Sequence, residues 1–132
     1  MYIFNGCLID WKASLQHAVA LSTIEAEYTA TAEAVKEALW LKGLMAELGL
    51  TQKTVELFCD SSSAIYLSKN PAHHEKMKHI DIKLHFIRNE VSKGVVKMVK
   101  IHTDSNLADM LTKVVSIVKL KFYLNMAGLC GC

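Results

Sequence analysis

The sequence has few of the residues that interrupt or cross-link a chain, with one proline, six glycines and four cysteines among its 132 residues. It also lacks a recurring segment, a low-complexity stretch or a linker, so we expect one domain that spans residues 1–132. The cysteines have no disulfide-framework spacing, which favours free thiols in a reducing compartment. They are Cys7, Cys59, Cys130 and Cys132.

Strong net charge and long hydrophobic runs are absent as well. The formal net charge is only +2, so any binding of nucleic acid would depend on a local basic patch and would weaken as salt rises. No run approaches the roughly 18 apolar residues of a membrane span. The apolar start of the chain is broken by Asn5 and Gly6 and has no basic leader, which makes it a poor signal peptide. We therefore expect a soluble protein that is not secreted and has no membrane partner.

Enough apolar residues are present, at 52% of the chain, to bury one core. Strands over residues 2–4 and 8–21 are predicted to turn at Asn5-Gly6, because both positions tolerate positive φ. The capping box Ser22-Thr23-Ile24-Glu25 predicts a long helix that ends at Gly49.

The rest of the chain continues to alternate between strands and helices. The patterns predict a strand over 55–58, a short helix that opens at Asp60, a helix over 79–91, a strand over 95–101 and an amphipathic helix over 106–126. This order indicates an α/β fold with a mixed β-sheet flanked by α-helices.

Three carboxylates stand at the ends of these elements. Glu27 lies in the first turns of the long helix, Asp60 follows a short apolar strand, and Asp109 lies near the start of the last helix. Magnesium prefers carboxylate oxygens, and a two-metal site holds its ions roughly 3.5–4 Å apart. If these acids converge, they would form a phosphodiester-cleaving site. Each acid also has a structural interpretation: a surface glutamate for Glu27, an N-cap for Asp60 and a favourable first-turn acid for Asp109.

Four motifs make the pattern more specific. They read ALSTIEAEY (residues 20–28), LFCDSSSAI (57–65), KHIDIKLHFIR (78–88) and LADMLTK (107–113). In this order they resemble the ribonuclease H domain at the C-terminal end of the Pol polyprotein of copia-type LTR retrotransposons. The resemblance extends from about residue 2 to residue 129.

The resemblance implies a ribonuclease H-like fold that hydrolyses the RNA strand of an RNA-DNA hybrid with two Mg²⁺ ions. By motif, Glu27, Asp60 and Asp109 match the family's catalytic, metal-binding acids. The family also implies a reverse transcriptase in the same polyprotein, and a cytoplasmic, virus-like-particle or nuclear location.

The family's first central strand and its aspartate precede the segment that this chain resembles. We therefore expect a domain that is incomplete at the N-terminus, impaired in hydrolysis, and able to self-associate through an exposed strand edge. An alternative is an inactive remnant that at most binds nucleic acid or a protein.

Polar residues near two of these motifs are candidates for binding the hybrid. They are Ser61, Ser62, Lys78, His79, Lys83, His85 and Arg88. A solvated polar face is the structural alternative for the helical ones. A remoter hypothesis is a zinc-binding module, built from His73, His74, His79, His85, Cys130 and Cys132, although their spacing is unlike that of structural zinc sites.

Overall fold

The computed structural model describes residues 1–14, 22–70 and 78–129, and for residues 78–81 it describes only the helical backbone. The elements follow one another as β1 Tyr2–Phe4, β2 Cys7–Asp10, α1 Thr23–Glu47, β3 Val55–Cys59, α2 Ser62–Lys69, α3 Lys78–Ser92, β4 Val96–Lys100, a 3-10 turn Thr103–Ser105, α4 Asp109–Thr112 and α5 Ile117–Met126. The α/β class is therefore confirmed.

The chain divides into two compact units. A terminal unit comprises Met1–Leu15 and Thr103–Cys132, and a central unit comprises Gln16–His102. The single ribonuclease H-like domain expected from the sequence stays a prediction.

The terminal unit begins with an antiparallel hairpin of β1 and β2. Its turn is Asn5-Gly6, and both residues have positive φ, 50° for Asn5 and 78° for Gly6, as the sequence predicted. The strand expected over residues 8–21 is shorter, because the last residue of β2 already pairs with the first residue of β1. Residues 15–21 of that prediction lie outside the described residues.

The predicted helix over residues 106–126 is wrong, because two helices stand there. After α4 the backbone of Lys113 is extended, with φ −134° and ψ 152°. The β-branched Val114 and Val115 lose side-chain freedom in a helix, and the Ser116 side chain caps α5 by accepting a 3.3 Å hydrogen bond from Lys119 N–H. Capping by Ser116 therefore starts a second helix, where the sequence predicted one continuous helix.

In the central unit, α1 begins as the capping box predicts. The Ser22 side chain accepts a 3.2 Å hydrogen bond from Glu25 N–H. After the helix the chain turns at Gly49, whose φ is +77°. The Ser22 cap and the Gly49 turn, both readable from the sequence, thus set the limits of α1, the longest helix.

Strands β3 and β4 form a parallel pair from Val55 opposite Val96 to Cys59 opposite Lys100. Helices α1, α2 and α3 pack on this pair through two apolar clusters: one of Tyr28, Cys59, Ala64, Leu84 and Met98, the other of Ala32, Val35, Ile87 and Val96. The sequence predicted one mixed sheet, whereas the described strands form two separate two-stranded sheets. The ribonuclease H-like arrangement of strands stays a prediction.

None of the helices in the described ranges combines the length and hydropathy that a membrane crossing demands.

Candidate metal centre

Two of the predicted acids meet at the end of β3. Glu27 belongs to α1, Cys59 is the last residue of β3, and Asp60 directly follows it. A carboxylate oxygen from each acid and the Cys59 Sγ all lie within 4.8 Å of one another. Cys59 is buried, Asp60 is partly buried and Glu27 is exposed, so the cluster runs from the core to the surface.

The residue that caps α2 is Ser61. Its side-chain oxygen accepts a 3.2 Å hydrogen bond from Ala64 N–H. The interpretation of Asp60 as the N-cap is therefore wrong. Because Ser61 satisfies the start of the helix, the carboxylate of Asp60 is available to the cluster.

Core packing places Glu27 beside Asp60. Tyr28, the next residue of α1, is buried in the same apolar cluster as Cys59. Packing of Tyr28 therefore holds this turn of α1 over the carboxyl end of β3. The carboxyl ends of parallel strands are where α/β sheets place ligands.

The surroundings of Cys59 oppose formation of a thiolate. Burial raises the pKa of the Cys59 thiol, and the carboxylates of Glu27 and Asp60 also raise it, whereas the hydrogen bond with Ser61 and the Lys100 ammonium lower it. The thiol also lies 3.7 Å from the Ser61 carbonyl oxygen, to which it donates. On the other side, the Lys100 ammonium donates a hydrogen bond to the Asp60 carbonyl oxygen.

Asp109 belongs to the terminal unit. It is buried in the first turn of α4, and its Oδ1 lies 2.9 Å from the Lys113 ammonium. This pairing and its place at the helix start both favour the structural interpretation of Asp109. Its convergence with Glu27 and Asp60 stays a prediction.

The chain is similar over nearly its whole length to transposon polyproteins. It is 48% identical over 129 residues to the retrovirus-related Pol polyprotein from transposon TNT 1-94 of Nicotiana tabacum. This match covers 98% of the chain and 10% of the polyprotein. The chain is a homologue of transposon Pol polyproteins. The retrovirus-related Pol polyprotein from transposon RE1 of Arabidopsis thaliana is 40% identical over 91% of this chain and 8% of its own length.

A more distant relative of the chain is the Transposon Ty1-DR5 Gag-Pol polyprotein of Saccharomyces cerevisiae, which is 31% identical in a match that covers 95% of this chain and 7% of the polyprotein. The chain thus spans about a tenth or less of these relatives. No protein-family model and no solved structure matches it. The similarity to retrotransposon Pol polyproteins predicted from the motifs is confirmed, and the assignment to their ribonuclease H domain stays a prediction.

Two of the candidate hybrid-binding residues make contacts between helices. Lys83 Nζ donates to Thr29 Oγ1 at 2.9 Å, and Arg88 Nε donates to the Leu67 carbonyl oxygen at 2.8 Å. These bonds connect α3 to α1 and α2 respectively. They give Lys83 and Arg88 structural roles beside any part in binding.

The remaining candidates are distributed around the central unit. Ser62 and His85 are exposed, whereas Ser61 is occupied as the cap of α2. His85 and Arg88 line one groove with Ser68 and Lys69. The side chains of Lys78 and His79 lie outside the described residues, as do His73, His74, Cys130 and Cys132 of the zinc hypothesis.

Sequence reasoning missed Cys59. Its position next to Asp60, at the last residue of an apolar strand, was a usable signal, because both side chains can reach the strand end. Consecutive side chains of a strand point to opposite faces, which argues against a shared site for Cys59 and Asp60. The chain turns after Cys59, and that turn brings the two groups together.

Proposed function

We propose that this retrotransposon-derived chain is a ribonuclease H-like domain whose activity is Mg²⁺-dependent hydrolysis of the RNA strand of RNA-DNA hybrids, with weak activity in this chain by itself. The observation that supports the proposal is the meeting of Glu27 and Asp60 within 4.8 Å at the carboxyl end of β3. Both acids lie in motifs that resemble the family's, and they are 33 positions apart in the sequence.

The side chains are of the kind that Mg²⁺ binds, but there are few of them. Glu27 and Asp60 offer carboxylate oxygens on the accessible side of the cluster, while Mg²⁺ takes six oxygen ligands. Water would therefore complete most of the coordination, and we expect weak binding. In a two-metal site the cation supplies an activated water and stabilises the leaving 3′ oxygen.

Asp109 is the third acid in the proposal. To serve as a ligand its carboxylate would exchange the Lys113 ammonium for the cation. Cations that compete for one carboxylate lower each other's affinity, which is a second reason to expect weak activity.

The proposed substrate is the hybrid, and the proposed setting is a Pol polyprotein that also carries a reverse transcriptase, within virus-like particles. Exposed Ser62 lies one residue beyond the cap of α2, close in sequence to Asp60. His85 and Lys69 offer polar and basic groups in the groove between α2 and α3. Contacts of this kind with phosphates would weaken as salt rises.

A cleavage assay on a labelled RNA-DNA hybrid tests the activity. We expect slow Mg²⁺-dependent cleavage that is lost in Asp60→Asn and in Glu27→Gln. Glu33→Gln is the matched control, because Glu33 is an exposed glutamate of α1 paired with Lys36. Equal rates in Asp60→Asn and the unaltered chain would assign the cleavage to a contaminant.

A second candidate is an inactive remnant that binds a second copy of the chain. The observation that favours it is the pairing of β3, which is with β4 alone among the described strands. Unpaired strand edges are templates for association. No cleavage at any Mg²⁺ concentration, together with concentration-dependent dimerisation in sedimentation equilibrium, would select this candidate.

A further inference from the structure

The cluster at the end of β3 contains a sulfur ligand that the proposed nuclease does not use. Cys59 Sγ shares the 4.8 Å cluster with the carboxylates of Glu27 and Asp60. A buried free cysteine often serves only as a small apolar side chain, and Cys59 does pack against Tyr28 and Met98. Its sulfur, however, also faces two acids and the Ser61 carbonyl oxygen, so it lies where the core meets the acidic surface.

The donor set favours a different cation from magnesium. Magnesium demands oxygen ligands in near-ideal octahedral geometry, and a thiolate adds nothing to its affinity. Zinc takes cysteine sulfur at about 2.3 Å and carboxylate oxygen at about 2.0–2.2 Å, with four ligands in a tetrahedron. Two carboxylates and one thiolate supply three of these four positions and leave one for water.

The cluster is close to this geometry. Ligands of a tetrahedral zinc lie about 3.5 Å apart, given those bond lengths, and the three groups lie within 4.8 Å of one another, so they would close by at most about 1.3 Å. Cys59 is buried at the end of β3, whereas Glu27 is exposed and Asp60 is partly buried. The sulfur ligand therefore lies on the inner side of the cluster and the carboxylates lie on its outer side.

We propose that Glu27, Cys59 and Asp60 form a three-ligand site for one thiophilic divalent cation of the zinc class. On binding, the Sγ–metal bond forms as the Sγ–H bond breaks, and the proton leaves to solvent. The inference rests on the acid pair of the proposed function, and it predicts that zinc displaces magnesium and inhibits hydrolysis.

Titration of the purified full-length chain with Co²⁺ tests the site directly. A cobalt–thiolate bond gives a charge-transfer absorption band in the near ultraviolet, and added Zn²⁺ should abolish it. We expect the band to be lost in Cys59→Ser and retained in Cys7→Ser, since Cys7 is an exposed free cysteine. It should also be retained in the double variant Cys130→Ser/Cys132→Ser.

Glu27→Gln keeps the test decisive if Cys59→Ser does not fold, because Glu27 is exposed. We expect this variant to bind Co²⁺ at least about tenfold more weakly, the smallest loss seen when a supporting group is removed from a metal site, with the band still present at saturation. A band that survives in Cys59→Ser, disappears in the double variant or is insensitive to Glu27→Gln would overturn the proposal.

The readout separates this inference from the nuclease. Absence of hybrid cleavage with an intact, Cys59-dependent cobalt band would refute the proposed function alone. Absence of the band with intact Mg²⁺-dependent cleavage would refute the zinc-class site alone.

Discussion

Replacing Asp60 by Asn should raise the stability of the metal-free protein, although most substitutions lower it. The reason is the like charge of Glu27, whose carboxylate lies within 4.8 Å of that of Asp60. Ser61, not Asp60, caps α2, so the substitution removes repulsion without removing a cap. The proposed cation site would therefore destabilise the protein until the cation binds.

The size of the effect follows from the separation and the exposure of the two acids. At 4.8 Å, the upper limit of their separation, two unit charges repel by about 1 kcal/mol in water and about 3.5 kcal/mol at an effective dielectric of 20. Because Glu27 is exposed and the Lys100 ammonium is nearby, we expect the lower end, about 0.5–1 kcal/mol. For a chain of this size that raises Tm by about 2–5 °C.

Thermal unfolding with a chelator and then with Mg²⁺ measures both parts of the prediction. The unaltered chain should gain about 1.4 kcal/mol at a Mg²⁺ concentration ten times Kd, whereas Asp60→Asn should gain almost nothing. Glu33→Gln should keep the Mg²⁺ response and lose at most a few tenths of a kcal/mol from its surface pair with Lys36. A lower metal-free Tm in Asp60→Asn would refute the reasoning, because Asp60 would then be a structural residue.

Three further predictions concern stability. Tyr28→Phe should leave the free energy of unfolding unchanged or raise it by about 1–2 kcal/mol, since the Tyr28 hydroxyl is buried and has no hydrogen-bond partner among the described residues. Gly128→Ala should cost at least about 3 kcal/mol, because its φ is +70° and the added Cβ would overlap the Gly6 carbonyl oxygen. Ile87→Ala should cost about 2–5 kcal/mol, because Ile87 is 0% exposed. Urea titration checks all three.

Each of these has a control or a contrary outcome. Gly49→Ala is the control for Gly128→Ala, because Gly49 has a φ of +77° and its added Cβ would lie in open space. It should lower the free energy of unfolding by only about 1 kcal/mol. An equal cost for Gly128→Ala would contradict the close approach of Gly128 to the Gly6 carbonyl oxygen. Burial raises the pKa of Tyr28 above 10.0, so ionisation of Tyr28 does not affect the free energy of unfolding well below that pH and lowers it as pH rises from there through the native pKa. The free energy of unfolding of Tyr28→Phe should fall less steeply above pH 10 than that of the unaltered chain, and an equal slope would contradict this reasoning.

The sequence predicted the elements with strong local signals. Ser22 caps α1 and Asn5-Gly6 forms the hairpin turn, because each of these signals acts over a few residues and needs no distant partner. The second strand was predicted too long, since its length depends on the partner strand. The last helix was predicted as one, although Ser116 carried a local capping signal within it.

Among the site residues, the sequence by itself determined which side chains could bind a cation and the order of the elements that carry them. The tertiary structure alone decided that Glu27 and Asp60 meet, that Cys59 joins them, and that Lys83 and Arg88 connect helices. These outcomes depend on how Tyr28 and the other core side chains pack α1 against β3. Packing joins residues distant in sequence, and no short-range pattern records it.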